Sequence, residues 1–323
     1  MMPSDSSKFV YEEVSGWAHL PENWRVKEIS GVAVDSQDRV YALGRGFNPV
    51  AVFDRDGNFL AAWGGDVFKR AHHIIIDRDD NIFCVDDMGH RVLKFAPDGT
   101  LLMAIESTNR HATAQELTAR GQVVEQPHPP FNYPTGVALA RGGDIYVSDG
   151  YGNARIHKFT PDGIHLFSWG TFGSEAGQFH LPHGVLVDHE GLVYISDRMN
   201  RRVQVFTPDG EFVTQWDDVR WPNNMCLDAN GNFYIAELGA LFLYDRAHVD
   251  LSQPSGRITV RDARGTIISE WGMHDPLGDG RFFAPHDIAV DSVGNVYIGE
   301  VAATYSGGKA PVDWPMLRKF VRV

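Results

Sequence analysis

The chain has 323 residues, 43% of them hydrophobic, and 29 basic against 42 acidic residues give a formal charge of −13. That size allows a large buried core, while the acidic balance, with no run of lysine or arginine, argues against a phosphate-binding stripe and so against nucleic acid as a partner. No window approaches the ~18 apolar residues of a membrane span, and the opening MMPSDSSKFVYEEVSGW has no basic segment followed by an apolar one, so a cytoplasmic monomer that does not engage membranes is expected.

In chain order, KFVYEEVSGW reads first as an alternating strand ending in Trp17. Gly31 then opens GVAVDSQDRVYAL, a pattern that returns as HIIIDRDDNIFCV from His73, GVALARGGDIYVS from Gly136, GVLVDHEGLVYIS from Gly184, NMCLDANGNFYIA from Asn224 and DIAVDSVGNVYIG from Asp287. Each copy is a short apolar run, a polar turn rich in Asp, Asn and Gly, and an alternating strand. Most copies are followed by a second hairpin, such as VAVFDRDGNFLAAWG or IHKFTPDGIHLFSWG. Six copies of four strands predict an all-β, six-bladed β-propeller, one domain over residues 1–323 with blades starting near 31, 73, 136, 184, 224 and 287. The sixth copy stops at LRKFVRV, its third strand. The N-terminal strand is predicted to supply the fourth and close the ring, removing exposed sheet edges. Trp17 should then take the place that Trp63, Trp169, Trp216 and Trp271 hold in other fourth strands. Cys84 and Cys226, far apart in apolar runs, read as small buried hydrophobes.

The tight Asp-Gly turns fall on one face of such a propeller, and the opposite face receives the insertions at 106–134, about 238–256, and 301–316. Long loops on one face of a rigid scaffold tend to carry function. TAQELTARGQVV, within the first insertion, reads as a short helix, either a lid or decoration.

The residues preceding the six first strands are Ser30, His72, Thr135, His183, Asn223 and His286. A single histidine there is more often a loop residue bonded to backbone than a ligand. Histidine in every second blade is harder to reach by chance, and three imidazoles converging on the channel mouth cap one face of a tetrahedron with the fourth position open, as in a catalytic zinc site. His73 is a possible substitute for His72, although the register with LPH and APH favours His72. Two loops between second and third strands reach the same rim. Arg45, in ALGRGFNP, could hold a carboxylate or form a surface ion pair. Tyr151, in SDGYGNAR, could act as a base beside a metal or pack as a rim aromatic. Asp149 reads as a turn former.

These pieces, LPHG and APHD before inner strands, SDGYGNARI, and the Arg45 loop after SGVAVD, resemble the NHL-repeat propellers and, over about residues 28–323, the catalytic core of peptidyl-α-hydroxyglycine α-amidating lyase. The resemblance implies zinc on His72, His183 and His286, with Arg45 and Tyr151 completing the site. It also implies a structural calcium on Asp287 and the backbone carbonyls of Val32 and Ile74. The implied reaction cleaves the N–C bond of an α-hydroxyglycine amide to an amide and glyoxylate, with zinc polarising the hydroxyl, tyrosine taking a proton and arginine holding the carboxylate. The chain departs from the family pattern at Ala284, where a methionine is usual, and at Gly152, where a cysteine follows the tyrosine. The substrate expected is therefore a small molecule or peptide bearing α-hydroxy-amide and carboxylate groups. A lactonase-like metal hydrolase, drawing on Asn223 and Glu300, and a non-catalytic NHL binding module remain the competing readings.

Overall fold

The computed structural model describes residues 9–22, 24, 27–107, 130–239, 256–272, 282–305, 310–311 and 313–323. The lid candidate and the greater part of the 238–256 insertion lie outside the described residues. Six four-stranded antiparallel sheets make up the blades of a six-bladed β-propeller. Their inner strands are Ile29–Val34, Ala71–Ile76, Gly136–Leu139, Pro182–Val187, Pro222–Leu227 and Pro285–Val290, beginning at the expected starts or up to two residues before them.

Burial follows position in the blade. Second strands such as Val40–Gly44, Ile145–Asp149 and Val193–Asp197 are buried at every residue, because both their faces are covered, and so they read as continuous apolar runs. Fourth strands such as Phe59–Trp63 and Phe212–Trp216 are largely exposed or half-buried. The chain folds into two compact units. Met1–Gly65 with Asn223–Val323 holds blades one, five and six, and Asp66–Pro222 holds blades two, three and four. Among the described residues no helix is long and apolar enough to cross a membrane.

The closing strand is present. Tyr11–Glu13 pairs antiparallel with Leu317–Arg322, matching Tyr11 to Arg322 and Glu13 to Phe320, so blade six is built from both chain ends. The paired strand stops at Glu13, but Trp17 takes the expected place: it packs on Phe53 and Tyr297, at ring-centroid distances of 5.7 and 5.1 Å, as Trp169 packs on Phe206 and Tyr146, while its Nε1 donates to the Arg55 carbonyl at 2.9 Å. The turn beneath it is shaped to fit. Gly57 has φ +89°, and a Cβ there would run into the Trp17 carbonyl, so the turn accepts the indole segment only with glycine at this position. Both cysteines are free thiols; Cys84 is buried and Cys226 half-buried.

Candidate metal centre

Within blades two to four, the structure brings together His72, Tyr151 and His183. His72 and His183 are both fully buried, with ring centroids 5.0 Å apart. The Tyr151 hydroxyl lies 3.0 Å from His72 Nε2 and 3.3 Å from His183 Nε2. His72 Nδ1 is 2.7 Å from the Thr135 carbonyl. A carbonyl only accepts, so Nδ1 carries the proton and Nε2 keeps its lone pair turned toward Tyr151. The residue before the next inner strand thus orients the imidazole. Thr135 also donates through Oγ1 to the Pro182 carbonyl at 2.8 Å, which fixes the backbone entering His183.

His73 is disposed differently. The Val137 N–H donates to its Nδ1 at 3.1 Å, and burial pushes its pKa down to about 3. Its Nδ1 is thereby committed to a strand of the next blade, which leaves His72 as the ligand candidate. Sequence reasoning missed two cations near Tyr151. The guanidinium carbons of Arg70 and Arg198 sit 5.8 and 5.7 Å from the centre of its ring, within cation–π range. Arg70 is held by Asp87, with its Nε 2.8 and 2.9 Å from the two carboxylate oxygens.

In the unit holding blades one, five and six, His286 repeats the His72 arrangement, donating from Nδ1 to the Ser30 carbonyl at 2.7 Å. His72, His183 and His286 each offer a ring nitrogen, and three such groups could hold a metal ion. Asp287 accepts from the Val32 N–H at 2.9 Å and the Ile288 N–H at 3.0 Å. Burial nonetheless pushes its carboxyl well above the usual carboxylate range, against these N–H groups and Asn224. N–H and C=O of one strand residue point to the same side, so the Val32 carbonyl faces the side from which Asp287 approaches. Ile74 lies on the inner strand of blade two.

Arg45 is engaged by its own blade set. Its Nη1 donates to Glu28 Oε2 at 2.8 Å and to Thr304 Oγ1 at 3.2 Å. The ion pair weighed against its functional role therefore exists, but with a nearly buried acid rather than at the surface. The residues offered for a hydrolase site are structurally occupied. Asn223 Nδ2 donates to the Pro285 carbonyl at 2.9 Å, and Glu300 accepts the Phe283 and Ala284 N–H groups at 2.8 and 2.9 Å.

That use of Glu300 reveals what positions the histidines. In each histidine-bearing blade a buried acid at the end of the second strand grips the backbone that enters the first. Asp86 accepts the Lys69 and Arg70 N–H groups, Asp197 accepts that of His180, and Glu300 those of Phe283 and Ala284. An arginine early in the third strand balances each acid: Arg91 at 3.0 Å, Arg202 at 2.8 Å and Arg318 at 3.1 Å. Burial pushes Asp197 and Glu300 upward, and the arginines and N–H groups oppose it. Asp149, read as a turn former, acts alike on the Asn132 N–H at 2.8 Å. The available signal was an acid ending the second strand with an arginine first or second in the third, a pattern that blade one, with Gly44 and Val50, lacks. The glycine at 152 is also explained, since a Cβ there would collide with Asn132, whose Nδ2 donates to the Gly152 carbonyl at 2.9 Å.

Comparison with known proteins agrees with this layout. An NHL repeat model matches residues 131–159. The chain is 28% identical to NHL repeat-containing protein 3 of Homo sapiens, over 92% of this chain and 83% of that protein. It is also 28% identical to peptidyl-alpha-hydroxyglycine alpha-amidating lyase 1 of Drosophila melanogaster, over 74% of this chain and 44% of that one. A crystal structure of virginiamycin B lyase from Staphylococcus aureus matches with a TM-score of 0.61 over 97% of this chain and 99% of that chain, at 12% identity, a likeness of fold alone. The chain thus carries an NHL repeat on a six-bladed propeller and is homologous, at modest identity, to amidating lyases.

Proposed function

We propose that the protein is a zinc-dependent carbon–nitrogen lyase that cleaves the N–C bond of a small α-hydroxy amide, releasing an amide and glyoxylate or a related carbonyl product. The observation that carries this reading is the Tyr151 hydroxyl within hydrogen-bond reach of His72 Nε2 and His183 Nε2. His72, His183 and His286 would hold the ion, their donor type being well suited to zinc, and the carbonyls of Thr135 and Ser30 hold two of the rings in the tautomer that frees Nε2. When bound, zinc supplies a Lewis acid for the substrate hydroxyl.

The remaining chemistry falls to the chain's own groups. Tyr151 takes the proton of the hydroxyl; as the carbon–oxygen double bond forms, the C–N pair moves to nitrogen, and the same proton is returned there to give a neutral amide. No oxidant or reductant is needed. Arg198, lying against the Tyr151 ring, and Arg45 are the cations that would receive the substrate carboxylate. Asp287, with the carbonyls of Val32 and Ile74, would take the structural calcium. A buried carboxylate held toward its neutral form is a group that a divalent cation would recharge.

The test is metal analysis of the purified protein followed by incubation with α-hydroxyhippurate. One zinc per chain and release of benzamide with glyoxylate are expected. His183→Ala should lose both metal and turnover, whereas Tyr151→Phe should keep the metal and lose on the order of 10²–10⁴ in kcat, the usual worth of a general acid–base group. A protein that binds no stoichiometric metal, or that opens simple lactones and leaves α-hydroxyhippurate intact, overturns this reading.

A further inference from the structure

Blade three carries a chain of hydrogen bonds that the metal centre does not use. Its buried acid, Asp149, differs from its counterparts in blades two, four, five and six, each of which pairs with an arginine. Among the described residues no arginine pairs with Asp149; the buried His157 takes that place, with Nε2 3.3 Å from Asp149 Oδ2. His157 Nδ1 lies 2.7 Å from Ser168 Oγ, and the same oxygen lies 2.8 Å from His165 Nε2. The protons can be assigned. A carboxylate only accepts, so His157 Nε2 donates to Asp149, and its Nδ1 keeps a lone pair for the Ser168 hydroxyl. Ser168 has a single proton to give, so His165 Nε2 is the donor to its oxygen. Burial, helped by His157 and Arg155, lowers the pKa of His165 below its ordinary 6.5, so that ring is neutral at pH 7.

The fold does not require this pairing. His157 and Ser168 are register partners on the third and fourth strands; the equivalent pairs are Ala51 and Ala62, Leu93 and Ala104, Gln204 and Gln215, and Thr259 and Glu270. An acid, an imidazole and a hydroxyl in line form the arrangement that activates a serine, recognised by geometry rather than by chain order. Ser168 is half-buried, and His165, which touches it, lines a cavity of about 400 Å³ together with Ala104, Ile105, Pro130 and Phe159. The aliphatic and aromatic side chains there suit a short apolar acyl chain. Glu106, at the same lining, pairs with Arg91 at 3.3 Å and opposes a guest carboxylate.

We infer that Asp149, His157 and Ser168 form a second, metal-independent catalytic site, a serine esterase for small uncharged carboxylic esters with an apolar acyl group. Ser168 Oγ attacks the ester carbon as its proton passes to His157 Nδ1, and the carbonyl pair moves to oxygen, where His165 Nε2 donates to it. Return of that pair breaks the ester C–O bond, and the leaving alkoxide takes the proton from His157 to become the alcohol. Water repeats the sequence on the acyl-serine, releasing the acid and restoring Ser168.

For the test, the protein, as isolated and again after EDTA, is incubated with diisopropyl fluorophosphate and with p-nitrophenyl butyrate. One phosphoryl adduct per chain, located at Ser168 by peptide mass spectrometry, is expected with and without the chelator. Ester turnover should fall to the uncatalysed background in Ser168→Ala, and by on the order of 10² or more in His157→Gln, the worth of a general base. Glutamine is accommodated there, since Gln204 holds the matching place in blade four and bonds Asp197 at 3.2 Å; an unchanged Tm checks it. A protein without adduct, an adduct on another residue, a reaction that EDTA abolishes, or His157→Gln reacting at the full rate overturns the inference. None of these outcomes bears on α-hydroxyhippurate cleavage, which needs the metal and not Ser168.

Discussion

His72 and His73 are adjacent, equally buried and of one chemical type, yet the structure gives them opposite duties. Nδ1 of His72 donates to a carbonyl, whereas Nδ1 of His73 accepts from an N–H. The first leaves a lone pair on Nε2; the second is a strut between strands of two blades. His72→Gln should therefore abolish stoichiometric zinc binding, while His73→Gln should retain one zinc per chain and lower stability by about 1–3 kcal/mol, the cost of disturbing a buried hydrogen bond. Metal content by plasma emission and urea unfolding distinguish the two, and loss of zinc from His73→Gln alone would reverse the assignment. The register of His72 with His183 and His286 was legible because it repeats. The roles of Arg70 and Arg198 were not, since an arginine beside a tyrosine is made by loops from different blades, and no spacing along the chain encodes it. The calcium ligands were available only through resemblance, because a backbone carbonyl has no residue signature.

At the scale of the element, the recurring turns do more than reverse the chain. Asp54, Asp77 and Asp262 each accept the N–H groups two and four residues ahead: Asp56 and Asn58, Asp79 and Asn81, Arg264 and Thr266. This closes the turn with a side chain in place of a ladder bond. For Asp77, burial works against ionisation, but the Asn81 side chain and the two N–H groups prevail and hold its carboxyl below the ordinary value of 3.8. For Asp54 the Asn58 side chain is the leading cause of the same shift. A folded-state pKa below the unfolded one gives a contribution complete above about pH 4 and lost as pH falls through the folded value. Asp77→Asn should thus unfold with a shallower acid limb between pH 4 and 2, while Asp77→Ala also loses about 1 kcal/mol at pH 7 by giving up the turn bonds. Urea midpoints across that range measure both. An acid limb of unchanged steepness in Asp77→Asn would show that the turn carboxylate is not among the groups whose protonation unfolds the chain. The sequence announced these turns by composition; which oxygen meets which N–H is decided only in the folded turn.

For the molecule as a whole, the blade count was legible because each blade repeats the same local grammar of apolar alternation and turn. The place of Trp17 was legible with it, whereas the end of its paired strand at Glu13 was not, because where an edge strand stops pairing depends on what it packs against, and Phe53 and Tyr297 belong to distant segments. The same separation makes the chain ends a shared structural device. Tyr11–Glu13 adds three paired residues to the C-terminal strand. Glu13 also pairs with Arg318, and the Tyr11 ring stacks on Trp271 at 4.8 Å while its hydroxyl lies 2.8 Å from that of Tyr234. The short strand therefore ties blade six to blade five as well as to the other end of the chain. Removing it exposes the edge of Leu317–Arg322, takes from Arg318 its Glu13 partner, and uncovers Trp271. An open apolar edge is a template for intermolecular pairing. Deletion of residues 1–16 should lower Tm by on the order of 10 °C, as a loss of several kcal/mol would in a domain of this size, and should convert a monodisperse protein into a concentration-dependent aggregate on size-exclusion chromatography. The point variant Tyr11→Ala, which keeps the backbone ladder, should fall between the two in Tm and remain monodisperse. If the deletion variant melts with the full chain, the ring is held shut by its blades alone, and the N-terminal strand is a cover rather than a closure.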